Sequence, residues 1–237
     1  MDLGSRDARF LRVVEEVRNE LLAMAGVSTA AGYEAVIMQG SGTFAVESVL
    51  SSSLPRTGGG LLVAANGAYG VRMATIGKVA GVPTTVVSAP ERRPIDVAAV
   101  VAAVRAARGG VTHVAAVHHE TTAGVLNPVH ELGTALAALT DVPPPTYIVD
   151  SMSAFGAYPV DMAASHIHFL VSSSNKCIEG VPGFAYALAA RAALEATAGR
   201  ARTLSLDLHA QWRGLATTQQ FRFTPPTHAL LAFRQAL

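Results

Sequence analysis

Short apolar runs alternate with alanine-rich stretches over most of this 237-residue chain. The apolar runs, each bounded by turn residues, cover residues 35–38, 61–65, 84–87, 113–117, 147–149 and 167–171. Helical composition or spacing is found at 7–25, 44–53, 69–80, 96–107 and 128–139. Apolar strands that alternate with helices are typical of βαβ units, in which helices cover both faces of a parallel sheet. We therefore predict an α/β fold with one doubly wound sheet.

Composition and charge narrow the class of protein. Half of the residues are apolar and 15% are charged, which is enough for a large core. The net charge is +1 and no basic block occurs, so we expect no nucleic-acid partner. The single Cys177 excludes an internal disulfide and suggests a reducing compartment. No apolar run has the length of a membrane helix, and the first 20 residues are charged throughout, so we expect a soluble cytoplasmic protein without a membrane segment or signal peptide.

Sheets of this kind bind ligands beyond the carboxyl ends of their strands, so the residues after each run are candidates for a site. The first run is followed by QGSGTFAVES, in which Ser41, Gly42 and Thr43 open a helix. Amides and hydroxyls at a helix N-terminus can bind an anion such as phosphate. The same residues also suit an ordinary helix cap with glycine in the turn. This segment alone does not decide between the two.

A second polar segment, HHETTAG, follows the run at 113–117. Two histidines suggest a metal, but adjacent side chains at a strand end point to opposite faces. No other cluster of histidine or cysteine has the spacing of metal ligands. We therefore predict no metal site. A plain polar loop and a loop that faces a cofactor both fit the segment.

The last two apolar runs are each followed by an ionisable residue. Asp150 directly follows the run at 147–149. An acid at the end of a buried strand is costly unless it meets a cation or a hydrogen-bond donor. A helix cap or a structural ion pair would also explain it. Lys176 follows the run at 167–171 and is one of only two lysines among 18 basic residues. If its side chain enters the crevice at the strand ends, its amine can form a Schiff base with an aldehyde. It can equally be a surface residue, as we expect for Lys78.

The combination is more specific than any one of these segments. A phosphate site, a carboxylate and a lysine at successive strand ends are what pyridoxal phosphate requires. The helix N-terminus suits the phosphate, the acid suits the pyridinium nitrogen, and the lysine suits the aldehyde. Asp150 and Lys176 follow consecutive strands, so we expect them to be neighbours. The sequence therefore predicts a pyridoxal-phosphate site with Lys176 as the Schiff-base lysine.

The chain resembles the class V aminotransferases of fold type I. The segments that carry the resemblance are QGSGTFAVES, NGAYGVR, VHHETTAGVLNP, YIVDSMSAFG, SSSNKCIEGVPGF and RFTPPTH. Two of them, GSGTFAVE and NKC with the following GVPGF, resemble the subfamily that acts on 2-aminoethylphosphonate and pyruvate. Alanine–glyoxylate and serine–pyruvate aminotransferases share the layout but differ in these segments. The resemblance implies the large domain of a pyridoxal-phosphate transferase, with a mostly parallel seven-stranded sheet and helices on both faces.

The resemblance also implies the reaction and its two catalytic residues. Lys176 would bind the cofactor covalently and transfer the substrate proton, while Asp150 would keep the pyridinium nitrogen protonated. The amino group of 2-aminoethylphosphonate would pass to pyruvate, which gives phosphonoacetaldehyde and alanine. Two alternatives stay open: another class V aminotransferase of the alanine or serine, glyoxylate or pyruvate type, and a non-catalytic remnant of the fold.

Further residues receive binding roles from the resemblance. Residues 41–43 would bind the cofactor phosphate, Thr121 would lie near the ring hydroxyl, and Tyr69 would stack on the ring. Thr224 would reach the phosphate bound by the partner subunit, which implies a homodimer with shared active sites.

Members of the class are longer than this chain, so the resemblance implies sequence before DLGSRD and a small domain after the final helix. An arginine that binds the substrate carboxylate would lie in that small domain. We therefore predict one large domain over 1–237, with an N-terminal helix in 1–28 and the sheet in 29–190. Residues 191–237 would begin the connection to the small domain.

Overall fold

The computed structural model describes residues 3–237. Its strands are β1 (Tyr33–Gln39), β2 (Leu61–Ala65), β3 (Thr84–Ser88), β4 (His113–Val117), β5 (His119–Glu120), β6 (Val125–Leu126), β7 (Thr146–Asp150), β8 (Phe169–Ser173) and β9 (Phe184–Ala190). Its helices are α1 (Ala8–Met24), α2 (Gly42–Ser53), α3 (Ala68–Val79), α4 (Val97–Ala106), α5 (Val129–Ala137), α6 (Arg191–Glu195), α7 (Leu208–Thr218) and α8 (Thr227–Ala236). The five helices predicted from the sequence are confirmed, with ends within a few residues.

Seven strands form one sheet in the order β1-β9-β8-β7-β4-β2-β3. Strand β9 is antiparallel to both of its neighbours, and every other pairing is parallel. All positions of β2, β4 and β8 are buried, so both faces of the sheet are covered, as predicted. The predicted α/β fold with a mostly parallel seven-stranded sheet is therefore confirmed.

Two strand predictions need correction. The last predicted run, 167–171, is displaced, because the strand is Phe169–Ser173 and includes two serines. Strand β9, FAYALAA, is absent from the six predicted runs. Its alanines suit a helix by local propensity, but β9 is inserted between β1 and β8, where every residue except the last is buried. Tertiary packing therefore overrides the local preference.

The two terminal segments pack on the sheet and on each other. Helix α1 buries one apolar face and contacts β1 and α8, while α7 contacts β1 and α2. The side chain of Gln211 in α7 donates to the carbonyl oxygen of Ile37 at 3.0 Å. Phe233 of α8 packs edge-on against Phe184 of β9, with ring centroids 5.1 Å apart. Residues 208–236 therefore share the core of the sheet, and the predicted division at residue 191 stays a prediction.

A buried ion-pair network fixes the edge strand that leads into the site. Glu34 of β1 is 5% exposed, and its carboxylate lies 2.9 Å from Arg18 of α1 and 3.0 Å from Arg191 of α6. The Nε of Arg18 also donates to the carbonyl oxygen of Ala35 at 2.8 Å. Because a buried charge without a partner is costly, the network holds β1 in place against both helices.

Candidate active site

A cleft of about 200 Å³ lies where the carboxyl ends of β1, β4, β7 and β8 meet. Seven of the eight predicted site residues line it, namely Ser41, Gly42, Thr43, Tyr69, Thr121, Asp150 and Lys176. Its remaining wall residues were not predicted as site residues: Arg72, Val117, His119, Met152, Ser153, Ser173 and Asn175. Strands that run in the same direction end at the same edge of the sheet, which brings these separate segments together.

The first wall of the cleft is the N-terminus of α2. Strand β1 turns into this helix at Gly40, whose φ of +107° favours glycine. Ser41 is the N-cap residue, but its side chain makes no hydrogen bond to the helix. The first amides of α2 therefore lack a side-chain cap, so the ordinary cap considered from the sequence does not form. An uncapped helix N-terminus at a cleft can bind an anion.

Asp150 closes the bottom of the cleft as the last residue of β7. It is 5% exposed, and its Oδ1 accepts a hydrogen bond from the Met152 amide at 3.0 Å. Burial raises the pKa of Asp150 from 3.8 to about 6, and the charge of Glu120 adds to the rise. The amide of Met152 and the charges of Arg72 and Lys176 act in the opposite direction. A cation bound beside this carboxylate would offset the cost of its burial.

Lys176 lies in the loop between β8 and β9, exposed and on the wall of the cleft. The base of this loop is fixed by the buried Ser174, whose Oγ lies 2.7 Å from the carbonyl oxygen of Val181 and 3.1 Å from that of Phe184. The amide of Gly180 also donates to the carbonyl oxygen of Ser174 at 2.9 Å. Parallel pairing of β7 with β8 places Lys176 and Asp150 after neighbouring strands, as their order predicted.

The hairpin of β5 and β6 contributes a chain of hydroxyl groups. Oγ of Ser153 donates to the carbonyl oxygen of His119 at 3.0 Å and lies 2.7 Å from Oγ1 of Thr121. With the single proton of Ser153 on the His119 carbonyl oxygen, Thr121 donates to Ser153 and keeps its own lone pairs for other partners. In that arrangement Thr121 lines the cleft as an acceptor. Ser153 was missed from the sequence because the contact joins segments 32 residues apart.

A buried glutamate holds the start of α3 against the same hairpin. The carboxylate of Glu120, fully buried, accepts from the amides of Tyr69 and Gly70, each at 3.1 Å. Oγ1 of Thr122 donates to it at 2.7 Å. A Cβ at Gly67 would overlap with Glu120, so only glycine allows this approach. The contact fixes the helix turn that presents Tyr69 to the cleft.

Arg72 follows Tyr69 by three residues on α3, so the two side chains share one face of the helix. Its guanidinium lies 4.9 Å from the centroid of the Tyr69 ring. Its Nη1 donates to Oγ1 of Thr43 at 3.4 Å, which links α3 to α2. The NGAYGVR segment contained this signal, because an aromatic residue and an arginine three positions apart face the same way.

Thr224, the eighth predicted residue, does not line the cleft. It is exposed in a separate surface hollow with Arg6, Gln220 and Arg222. The side chain of Gln39 donates to the carbonyl oxygen of Phe223 at 2.9 Å and holds this segment near the end of β1. The role predicted for Thr224 concerns the partner subunit, so it stays a prediction.

Residues 3–237 contain neither a metal-binding cluster nor a membrane-spanning helix. Within that range, no group of three or more histidine, cysteine, aspartate or glutamate side chains is arranged to hold a metal ion. None of the helices described there combines the length and the apolar character needed to cross a bilayer.

The family model described as Aminotransferase class-V matches residues 2–237. Among curated proteins, the 2-aminoethylphosphonate–pyruvate transaminase of Salmonella schwarzengrund (strain CVM19633) is 48% identical over 227 residues. That of Salmonella gallinarum (strain 287/91 / NCTC 13346) is 47% identical over the same length. Each match covers 95% of this chain and 59% of the relative, so the chain spans about three fifths of the length of these proteins.

Solved structures agree on the fold. The pyridoxamine–pyruvate aminotransferase of Mesorhizobium loti superposes with a TM-score of 0.87 at 22% identity, over all of this chain and 58% of that one. The alanine–glyoxylate aminotransferase of a Nostoc species gives a TM-score of 0.87 at 21% identity, over all of this chain and 61% of that one. At these identities the likeness concerns the fold alone.

Proposed function

This chain belongs to the class V aminotransferases, and from that membership we propose that it forms the cofactor-binding part of a pyridoxal-phosphate-dependent transaminase. One observation carries the proposal. Lys176, Asp150 and the uncapped N-terminus of α2 line a single cleft, although they come from three separate parts of the chain. A lysine, a buried acid and an anion site in one cleft match the three reactive or charged ends of this cofactor.

The proposed substrates are 2-aminoethylphosphonate as amino donor and pyruvate as acceptor. The support is that the relatives that are 47–48% identical over 95% of this chain are named as transaminases for this pair. The motifs around Ser41 and Lys176 point to the same subfamily. We further propose a homodimer in which Thr224 contributes to the site of the partner subunit. Phosphonoacetaldehyde and alanine would be the products.

The residues of the cleft fit the cofactor. When bound, pyridoxal phosphate supplies an aldehyde that condenses with primary amines and a ring that accepts electrons from the substrate carbon. Residues 41–43 would hold its phosphate through backbone amides and hydroxyls. The aromatic ring of Tyr69 and the hydroxyl oxygen of Thr121 would contact the pyridine ring of the cofactor from the cleft wall.

Asp150 has the properties of a partner for a protonated ring nitrogen. It is buried, its pKa is raised to about 6, and among the described residues only Met152 donates a hydrogen bond to it. A cationic partner would stabilise the ionised carboxylate, and the carboxylate in turn would keep the partner protonated. This preorganised charge is the electrostatic contribution of the chain to the reaction.

Lys176 would hold the cofactor and would handle the substrate proton at its Nζ. It is the lysine of the cleft wall, whereas Lys78 lies exposed near the end of α3. The loop that carries Lys176 is anchored at Ser174, so its amine can move while its base stays in place. An amine that can move in this way can act as general base and general acid at the reacting carbon.

Reductive trapping tests the proposal. Borohydride added to the protein with pyridoxal phosphate should attach the cofactor irreversibly to Lys176, which peptide mass spectrometry locates. Lys176→Ala should abolish the adduct, and the matched variant Lys78→Ala should retain it. Labelling of Lys78 alone would contradict the assignment of the site.

A further inference from the structure

Arg72 is a cation of the cleft wall. Its guanidinium is exposed, and among residues 3–237 no carboxylate is within ion-pair distance of it. Its guanidinium contacts the face of the Tyr69 ring and the hydroxyl of Thr43. Its charge also lowers the pKa of the buried Asp150, but neither contact is an ion pair that neutralises it, so an anion in the cleft would be favoured beside it.

The contact with Thr43 shows where that anion would lie. Arginine can only donate hydrogen bonds, so Oγ1 of Thr43 must accept the one from Nη1 of Arg72 at 3.4 Å. The hydroxyl proton of Thr43 then has to point away from Arg72. Thr43 belongs to the first turn of α2, where the amides lack a side-chain cap. The guanidinium of Arg72, the hydroxyl of Thr43 and the N-terminus of α2 therefore adjoin one another on the wall of the same cleft.

We propose that Arg72 is a ligand of a phosphoryl group bound at the N-terminus of α2, and that this group is the phosphate of the cofactor. The inference rests on the proposed function. A dianionic phosphoryl group matches a helix N-terminus combined with an arginine, whose charge-assisted hydrogen bonds to phosphate are strong. Through its bond to Thr43, Arg72 also orients a second ligand of the same group.

Contacts within the chain fix the helix turn that precedes Arg72. Glu120 accepts from the amides of Tyr69 and Gly70, which fixes the first turn of α3 against the hairpin of β5 and β6. The Tyr69 ring, 4.9 Å from the guanidinium, supports the side chain from one side. An arginine side chain supported in this way loses less conformational entropy when it binds an anion than an unsupported surface arginine does.

Affinity measurements on two aldehydes test the assignment. Pyridoxal phosphate and pyridoxal differ only in the phosphate, and binding of each is followed by absorbance titration without any turnover. Arg72→Gln should weaken binding of pyridoxal phosphate by about tenfold or more, the loss of one charge-assisted bond, and should change pyridoxal binding less than about threefold. Lys78→Gln removes the same charge from the same helix and should affect neither aldehyde.

The outcomes separate this inference from the proposed function. If the unsubstituted protein binds neither aldehyde, the proposed function is contradicted. If Arg72→Gln weakens both aldehydes equally, Arg72 acts through the Tyr69 ring and not through a phosphate. A loss confined to the binding of 2-aminoethylphosphonate would overturn the assignment to the cofactor. Partial recovery in Arg72→Lys, with an unchanged circular dichroism spectrum, would support a direct charge effect.

Discussion

In the protein without ligand, Asp150 lies in a buried position where its negative charge is unfavourable. Burial raises its pKa to about 6, above the ordinary value of 3.8 that applies to the unfolded chain. The folded state therefore binds the proton more tightly than the unfolded state does. Well below pH 3.8 the group is neutral in both states. Between about pH 4 and pH 6 the unfolded chain ionises while the folded state keeps the proton, so the free energy of unfolding falls across this range and levels off above about pH 6.

The substitution Asp150→Asn should consequently stabilise the ligand-free protein in a pH-dependent way. The shift of about two pKa units corresponds to a gain of about 3 kcal/mol in the free energy of unfolding at pH 8 and about 1 kcal/mol at pH 4.5. Urea denaturation at both pH values measures it. The exposed Asp141→Asn serves as the control and should show little change at either pH. An equal gain at both pH values, or a loss at pH 8, would contradict the burial argument.

At the scale of elements, the start of α3 depends on one side chain. Glu120 satisfies the amides of Tyr69 and Gly70 and the hydroxyl of Thr122, and it is fully buried. Truncation of this side chain would leave those donors without an acceptor, and an unsatisfied buried donor is expensive. The element that carries Tyr69 and Arg72 would then lose its anchor.

We expect Glu120→Ala to lower the free energy of unfolding by about 2–4 kcal/mol. Its matched control is Glu131→Ala, which removes a glutamate from the first turn of α5 where the side chain is exposed. Loss of that helix-dipole contact should cost at most about 1 kcal/mol. Chemical denaturation of the two variants under the same conditions provides the comparison. Equal effects of the two substitutions would contradict the anchoring role of Glu120.

At the scale of the whole molecule, the chain spans 59% of the length of its curated relatives. Apolar side chains next to the site segments are exposed, namely Phe44 at 52%, Val181 at 50% and Phe223 at 45%. Each of the three adjoins a segment of the predicted site in the sequence: Phe44 follows Thr43, Val181 lies in the loop of Lys176, and Phe223 precedes Thr224. Under the proposed function, a partner subunit and further sequence would close the cleft.

We therefore expect weak cofactor binding, a tendency to aggregate and negligible transamination of 2-aminoethylphosphonate from the 237-residue chain alone. A chain extended to the length of the relatives should dimerise and gain activity, because substrate positioning and exclusion of water contribute several orders of magnitude in rate. Pyruvate-dependent alanine formation and sedimentation velocity, measured on both forms, test this. High activity of the short form would show that the substrate site lies wholly within these residues.

The candidate site was only partly predictable from the sequence. Asp150, Lys176 and residues 41–43 could be found because each follows an apolar run, and the ends of such runs meet in a parallel sheet. The spacing of Tyr69 and Arg72 places both on one face of α3, but the contacts that give Glu120 and Arg72 their importance are with residues 29 or more positions away, so no local pattern showed them. The alanine-rich β9 was missed for the same reason, because burial between two strands outweighs local propensity.

The sequence by itself determined the alternation of strands and helices, the buried face of α1 and the identity of the polar residues at the strand ends. These follow from periodicity and turn chemistry, which act over a few residues. Only the tertiary structure decided that β9 enters antiparallel between β1 and β8, which aligns β1 with the parallel strands and brings the N-terminus of α2 to Lys176. Strand neighbours are chosen by packing over the whole sheet, and no local pattern records that choice.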